Sequence, residues 1–325
     1  MNKKRTEIVS VFNNKGGVGK SSITANLCQV LGEKFGKKVL AIDNDPQDTL
    51  SFMCNQNIHN NGYTEDKQNG QRTLGSLEEV FLWDGEKPSY SDIKQTIIRP
   101  KYIKSVKVQN SMKWVEEERE LSFDLLPSIG NDLALGELIY ISPNPDIFIN
   151  KPENKKYARA SLKIVVDQIV KYFDYDYIFI DCPPSLGIIS TNALVASTSL
   201  IIPNTTDMLS SIGIHTIIDN LKELNKFVPE FKIKGILFNE YKDTKYDNEL
   251  IKDVEEFAKK EGINVFNTKI PLYLPLKKVA SEEELPVMKK EASIQKFNNA
   301  IISLAEEIIS LENTELKTIN NTKGE

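Results

Sequence analysis

The stretch that most constrains the fold runs from Asn13 to Ser22 and reads NNKGGVGKSS. It follows an apolar run at Ile8–Phe12 and leads into a segment predicted to be a helix over 21–33. A strand, a glycine-rich loop and a helix in this order form a cradle for anions. Glycines let backbone N–H groups approach an oxyanion, and a helix N-terminus favours negative charge. The pattern therefore predicts a phosphate-binding loop in an α/β fold.

Each polar residue of this loop has an expected task. Lys20 is placed to reach the outer phosphates of a nucleotide, and the Ser21 hydroxyl to ligate Mg²⁺. Asn14 stands where the usual loop has glycine, and a second lysine, Lys15, follows it. The predicted phosphate-binding residues are Lys15, Gly16, Gly17, Val18, Gly19, Lys20, Ser21 and Ser22.

Apolar runs of strand length alternate with amphipathic segments of helix length along most of the chain. This alternation predicts an α/β fold with a doubly wound, mostly parallel sheet and helices on both faces. Strands are predicted at Ile8–Phe12, Val39–Ile42, Phe123–Leu126, Tyr177–Ile180, Ser199–Ile202, Ile233–Phe238 and around Val265. Helices are predicted at 21–33, 157–172, 188–197, 210–227, 247–261 and 291–311.

We predict a single domain over residues 1–312, interrupted by an insertion at about 53–122. Within the insertion, 55–72 is polar and reads as a loop, whereas 74–83 is typical of a short helix. The apolar stripe of helix 291–311 favours packing on the core over lying on a membrane. The tail at 313–325 is polar and is expected to be disordered.

Composition narrows the classes of function. The net charge of −5 argues against a uniformly basic nucleic-acid-binding protein but permits a local basic patch. Only His59 and His215 are present, which excludes a histidine-rich metal site. The three cysteines lack metal-ligand spacing and suit a reducing cytoplasm.

Two further segments place carboxylates at the ends of buried strands. Asp43 and Asp45 follow the apolar run at 39–42, and Asp181 follows 177–180, ahead of two prolines. Open α/β sheets bind ligands outside the carboxyl ends of their strands. Beside a bound nucleotide, such carboxylates can hold the waters of Mg²⁺ or orient an attacking water. A strand-terminal Asp alone is also a common turn signal, so the combination with the glycine loop carries the argument.

Together these segments resemble the ParA/MinD family of deviant Walker ATPases, and within it the ParA partition ATPases. Residues 15–21 are similar to the family's phosphate loop, with Lys15 in the place of its signature lysine. Residues 43–47 are similar to the ParA form of the next motif, and 181–185 to the family's Asp-x-Pro-Pro-Ser segment. The resemblance covers roughly 1–52 and 123–312.

The resemblance implies an ATPase with weak intrinsic turnover that uses ATP and Mg²⁺ and forms a nucleotide-sandwich homodimer. Lys15 would reach the phosphates bound by the partner subunit, and Asp45 would position the hydrolytic water. Mg²⁺ would be held by Ser21 directly and by the two carboxylates through water, and Asn239 would contact adenine. The implied catalytic residues are Asp45, Lys15 and Lys20, and the implied metal ligands are Ser21, Asp43 and Asp181.

The resemblance also implies non-specific DNA binding, a ParB-type centromere-binding adaptor that stimulates hydrolysis, and a cytoplasmic protein that joins the nucleoid when ATP-bound. The segment 270–278 has the position of the family's DNA-binding residues but lacks the expected arginines. The insertion carries six basic residues and no acidic one between Ile93 and Val115. We therefore hypothesise DNA contacts from Arg99, Lys101, Lys104, Lys107, Lys277 and Lys278.

Two alternatives stay open at this point. A ParA/MinD-like ATPase that positions a cargo other than DNA would share every motif, because the cargo is encoded in its partner. A metabolic P-loop enzyme of the same superfamily would share the loop but give Lys15 no task across a dimer. A membrane-bound relative is disfavoured, because residues 313–325 form no basic amphipathic helix.

Overall fold

The computed structural model of the protein describes residues 5–54, 74, 77, 86–107, 114–128, 160–224, 231–273, 285–289 and 291–322. Its central feature is a six-stranded parallel sheet. The strands are β1 (Glu7–Val11), β2 (Val39–Asp43), β5 (Asp124–Leu126), β6 (Tyr177–Asp181), β7 (Ser199–Thr205) and β8 (Lys232–Asn239). Their order across the sheet is β5-β2-β6-β1-β7-β8. This sheet confirms the predicted fold class.

Helices cover both faces of the sheet, so the central strands are buried on both sides. All five residues of β2 and all five of β6 are buried, as expected for parallel strands between two helical layers. The helices are α1 (Lys20–Phe35), α2 (Thr49–Cys54), α3 (Tyr90–Thr96), α4 (Ser161–Tyr172), α5 (Ile188–Ala196), α6 (Met208–Leu224), α7 (Lys245–Lys260) and α8 (Gln295–Thr322).

Two hydrophobic clusters, one on each face, follow from the alternation of side chains along a strand. Ile178 and Ile180 of β6 belong to the cluster that includes apolar residues of α4, α5, α6 and α7. Tyr177 and Phe179 of the same strand belong to the cluster formed with α1, α2 and α8. This alternation packs the sheet between its two helical layers, and the parallel direction of the strands brings their carboxyl ends to one edge.

The structure differs from the sequence predictions mainly in the insertion and at the end of the chain. The insertion contains α3 and an antiparallel hairpin of β3 (Lys101–Lys107) and β4 (Trp114–Glu120), and α2 ends at its start. Of the helix predicted at 74–83, only Leu74 and Leu77 lie within the described residues, and both are helical and buried. Val265 forms only an isolated bridge to β8.

The last helix continues to Thr322, where a disordered tail was predicted. Its apolar stripe packs on the core as expected, with Ile301, Leu304 and Ile308 fully buried. In the described part of the chain, no helix is both long and apolar enough to cross a membrane.

Candidate nucleotide site

The loop between β1 and α1 has the backbone geometry of an anion cradle. Gly17 and Gly19 adopt φ angles of +75° and +88°, a region that L side chains rarely occupy. A Cβ atom at Gly19 would come within 2.3 Å of the Asn239 side-chain nitrogen, so glycine is also required by space there. The N-cap of α1 is Gly19, and no side chain of the described residues caps this N-terminus. Its first N–H groups therefore lack the side-chain acceptor that many helices have, and they suit a bound anion.

Lys20 is the first residue of α1, and its ammonium group stays within the loop. It is buried, and its Nζ donates to the Lys15 carbonyl oxygen at 3.3 Å. Burial lowers the pKa of Lys20, although the nearby carboxylates of Asp181 and Asp45 act in the opposite direction. A negatively charged ligand in the cradle would stabilise its ammonium form.

Asp43 and Asp181 lie side by side at the carboxyl edge of the sheet. They end β2 and β6 and face each other in the strand register. Both side chains are fully buried. The sequence predicts a carboxylate at the end of each of these strands. The sheet places the two carboxylates together, close to the loop that follows β1.

Burial disfavours the charged form of both carboxylates. Asp43 accepts hydrogen bonds from the backbone N–H groups of Ser51 at 2.7 Å and Asp45 at 3.2 Å. Burial nevertheless raises the pKa of Asp43 to about 7. Burial and then the charge of Asp43 raise the pKa of Asp181, which the nearby Ser21 hydroxyl and Lys20 counteract.

Asp181 is the clearest sign of a missing partner. Among the residues that the structure describes, neither of its carboxylate oxygens has a hydrogen-bond donor of acceptable geometry. A buried, unsatisfied carboxylate costs free energy unless a cation or a donor completes it. The edge between β2 and β6 is therefore suited to a hydrated divalent cation.

Asp45 lies at the rim of the same carboxyl edge, two residues after the end of β2. It is 6% exposed, and its Oδ1 accepts from the Gln47 backbone N–H at 2.9 Å. Its neighbour Asn44 is anchored on both sides, to the Asp181 carbonyl oxygen and to that of Ile189. This rigid turn fixes the position of the Asp45 carboxylate.

Lys15 occupies a different place from Lys20. Its Nζ donates to Asp207 Oδ2 at 2.8 Å and to Ser210 Oγ at 2.7 Å, and its side chain is 39% exposed. The two loop lysines therefore point to different environments, one inside the cradle and one at the surface. Sequence reasoning missed both partners of Lys15, since an Asp two residues after a strand signals only a helix start.

A cleft of about 180 Å³ lies beside the loop on the side of β7 and β8. Its walls are the loop itself, the residues that follow β7, and two residues that follow β8. Glu240 has a positive φ of 56°, an uncommon conformation for this residue type. The lining residues are Lys15, Gly16, Gly17, Val18, Thr205, Thr206, Asp207, Glu240 and Lys242.

Asn239, expected to contact adenine, lies at the end of β8 against the phosphate loop. Its Nδ2 donates to the Val18 carbonyl oxygen at 2.9 Å. The adenine contact stays a prediction. Asn239 and Val18 connect the loop to the β8 side of the cleft.

The basic segment of the insertion is matched by acidic residues across the hairpin. Lys101 lies 3.4 Å from Glu118 and 3.6 Å from Glu120, and the backbone register places Lys104 opposite Glu117. Arg99 pairs with Asp124 at 2.9 Å. Lys277 and Lys278 lie outside the described residues. β3 contains three lysines, and β4 contains four glutamates and one arginine, so the two strands together carry no net charge.

Comparison with known proteins agrees with this geometry. Residues 6–233 match the family described as AAA domain. An uncharacterized protein of Methanocaldococcus jannaschii is 30% identical over 291 residues, which cover 88% of this chain and 92% of that protein. A chromosome-partitioning ATPase, Soj, of Treponema pallidum is 26% identical over 282 residues, covering 86% and 88%.

Solved structures show the same fold at lower identity. A plasmid partition protein of Borrelia burgdorferi, bound to AMPPNP, has a TM-score of 0.60 at 21% identity, covering 96% of this chain and 100% of that one. Cobyrinic acid a,c-diamide synthase of Mycobacterium smegmatis, with ADP and magnesium, has a TM-score of 0.58 at 22% identity, covering 83% and 88%. The chain belongs to the ParA/MinD family of P-loop ATPases.

Proposed function

We propose that this chain is a ParA-like ATPase for the segregation of plasmid or chromosomal DNA. ATP binding would drive a sandwich dimer that binds DNA without sequence preference, and slow, adaptor-stimulated hydrolysis would release it. The observation that carries the proposal is the separation of the two loop lysines. Lys20 is held inside the cradle, whereas the side chain of Lys15 lines the cleft and is 39% exposed.

The residues at the carboxyl edge fit ATP with Mg²⁺. The positive-φ glycines and the uncapped helix provide backbone donors for phosphates, and Lys20 provides a buried cation. Bound Mg²⁺ supplies a Lewis acid that neutralises charge on the phosphate oxygens. Ser21 would ligate it directly, and the carboxylates of Asp43 and Asp181 would hold its waters.

Asp45 is the candidate for the residue that acts on water. Its carboxylate is fixed at the rim by the Gln47 N–H and remains slightly open to solvent. A carboxylate in this position can orient a water molecule and accept its proton. We therefore assign Asp45 the positioning of the hydrolytic water.

Lys15 is the candidate for the cross-subunit contact. An exposed ammonium beside the nucleotide cleft can reach a negatively charged group brought by a second subunit, and charge-assisted bonds to phosphate are strong. A dimer built this way depends on the nucleotide, because the phosphates supply the charge that Lys15 needs. The likeness to Soj, a chromosome-partitioning ATPase, supports the broader proposal of a partition ATPase.

DNA binding would be tested first, by fluorescence anisotropy with random-sequence duplex DNA and ATP, ADP or no nucleotide. We expect binding only with ATP, and a linear fall of log affinity with log salt, as released counterions require. Lys20→Ala serves as the control that cannot present the ATP state. If no state binds DNA although ATP-dependent dimers form, the ATPase acts on a different surface or cargo, and this part of the proposal is wrong.

A further inference from the structure

We propose that Asp207 is a positioning residue that holds Lys15 inside its own subunit, so that dimerisation requires a phosphate to displace the Asp207 carboxylate. The inference rests on the proposed function, because it takes Lys15 to be the residue that crosses to the partner subunit. It adds a competitor for Lys15 within the same chain.

The geometry shows which partner is fixed and which can move. The Asp207 carboxylate accepts hydrogen bonds from the Thr205 hydroxyl at 2.6 Å and from the Ser210 backbone N–H at 3.0 Å, besides the one from Lys15. Lys15 carries its ammonium on a flexible four-carbon stem. The carboxylate is therefore held in place from several sides, and Lys15 is the group that leaves.

The ion pair of Lys15 and Asp207 lies where a second anion can compete with the carboxylate for the ammonium group. Lys15 and Asp207 are 39% and 43% exposed, and both line the cleft beside the phosphate loop. An ion pair this open to water contributes little free energy, so its exchange for another anion is easily reversed. A phosphate group offers more negative charge than a carboxylate and can take over the same ammonium donors.

The carboxylate stays charged under physiological conditions. Partial burial alone would raise the pKa of Asp207, but hydrogen bonds from Lys15, Thr205 and Ser210 together hold it well below its usual range. Asp207 therefore remains a charged partner of Lys15 at every pH near neutrality. Another anion is needed to displace it.

A second contact makes the proposal testable without loss of fold. Asp207 directly precedes α6 and accepts from the backbone N–H of the third helical residue, as an N-cap does. Asparagine is an equally good N-cap. Asp207→Asn therefore removes the charge and keeps the cap, whereas Asp207→Ala removes both.

The experiment is sedimentation velocity of the full chain with a non-hydrolysable ATP analogue, over a range of protein concentrations. We expect Asp207→Asn to lower the dimer Kd by about 2- to 30-fold, since one exposed ion pair is released in each subunit. Ser210→Ala, which removes one of the two acceptors of Lys15, should act in the same direction by less. Asp207→Ala should tighten the dimer too, with a melting temperature about 2 °C lower from the lost cap.

Matched variants separate failure of this inference from failure of the proposed function. Asp167→Asn removes an exposed ion pair on α4, 2.9 Å long and away from the cleft, and should leave the dimer Kd unchanged. If the wild type forms no ATP-dependent dimer, or Lys15→Ala dimerises normally, the proposed function fails. If the wild type dimerises through Lys15 but Asp207→Asn and Ser210→Ala dimerise equally or more weakly, only this inference fails.

Discussion

The charged side chains at the carboxyl edge of the sheet differ from those on the β3–β4 hairpin in burial and in pairing. At the edge, Asp43 and Asp181 are fully buried, and neither carboxylate oxygen of Asp181 has a well-formed hydrogen bond among the described residues. On the hairpin, Lys101 is exposed and paired with Glu118 and Glu120. Buried, uncompensated charge is costly and indicates a ligand, whereas exposed, paired charge contributes little. The most basic stretch of the sequence is thus a weaker indicator of function than two aspartates.

The largest expected effect tests the chemistry at the edge. Asp45→Ala should lower the rate of ATP hydrolysis by about 10²- to 10⁴-fold, because a positioned proton acceptor is lost, and nucleotide affinity should change little. Phosphate release in single turnover measures the rate, and titration with a fluorescent ATP analogue measures the affinity. Hydrolysis that persists in Asp45→Ala would move the role to another group.

Lys20→Ala should weaken nucleotide binding by roughly 30-fold or more, because it removes the buried cation of the cradle. Isothermal titration with ATP and ADP checks this. Lys163→Ala removes a lysine of the same charge from the exposed surface of α4 and should bind normally. Similar affinities for both variants and the wild type would contradict the assignment of the cradle.

The free-energy cost of burying the ionised Asp43 carboxylate should make the stability of the protein depend on pH. In the ligand-free protein, the folded-state pKa of Asp43 is about 7, above the ordinary 3.8. The folded state therefore binds this proton more tightly than the unfolded state. The stability that the proton provides is complete below about pH 4 and is lost as pH rises toward 7.

We therefore expect Asp43→Asn to gain stability relative to the wild type as pH rises, by at most about 1.4 kcal/mol per unit. Denaturant unfolding of both proteins at pH 4, 5, 6 and 7 measures this difference, in which groups remote from Asp43 cancel and the change includes the effect of Asp43 on its neighbour Asp181. Asp167→Asn, which removes one carboxylate from the surface of α4, is the matched control. A difference that stays constant with pH would mean that Asp43 ionises freely in the folded state.

The smallest expected effect is on the hairpin. Reversal of Lys101, Lys104 and Lys107 to Glu should weaken DNA binding a few-fold and flatten its salt dependence by up to about 0.9 in slope per lost phosphate contact. Lys163, Lys245 and Lys252 reversed together make a control with the same change in net charge. Equal effects of both triple variants would show that the hairpin adds only long-range charge.

Particular residues show what the sequence could predict. The meeting of Asp43 and Asp181 followed from their places at the ends of apolar strands, because parallel strands present their carboxyl ends at one edge. The hairpin did not follow from its residues. Lys101, Lys104 and Lys107 are spaced three residues apart, whereas neighbouring residues on one face of a strand are spaced two apart. The three lysines therefore cannot all lie on the same face. The opposition of Lys101 to Glu120 and of Lys104 to Glu117 depends on the register between the two strands.

The sequence by itself determined the phosphate loop, the strand-end carboxylates and the doubly wound sheet, because these depend on residues adjacent in the chain and on the geometry of the backbone. Only the tertiary structure decided where Lys15 rests. Its partners Asp207 and Ser210 are 192 and 195 residues away, and they reach it because β7 lies beside β1 in the sheet. The strand order of the sheet thus places Asp207 beside Lys15, which is the lysine of the loop that is exposed at the surface.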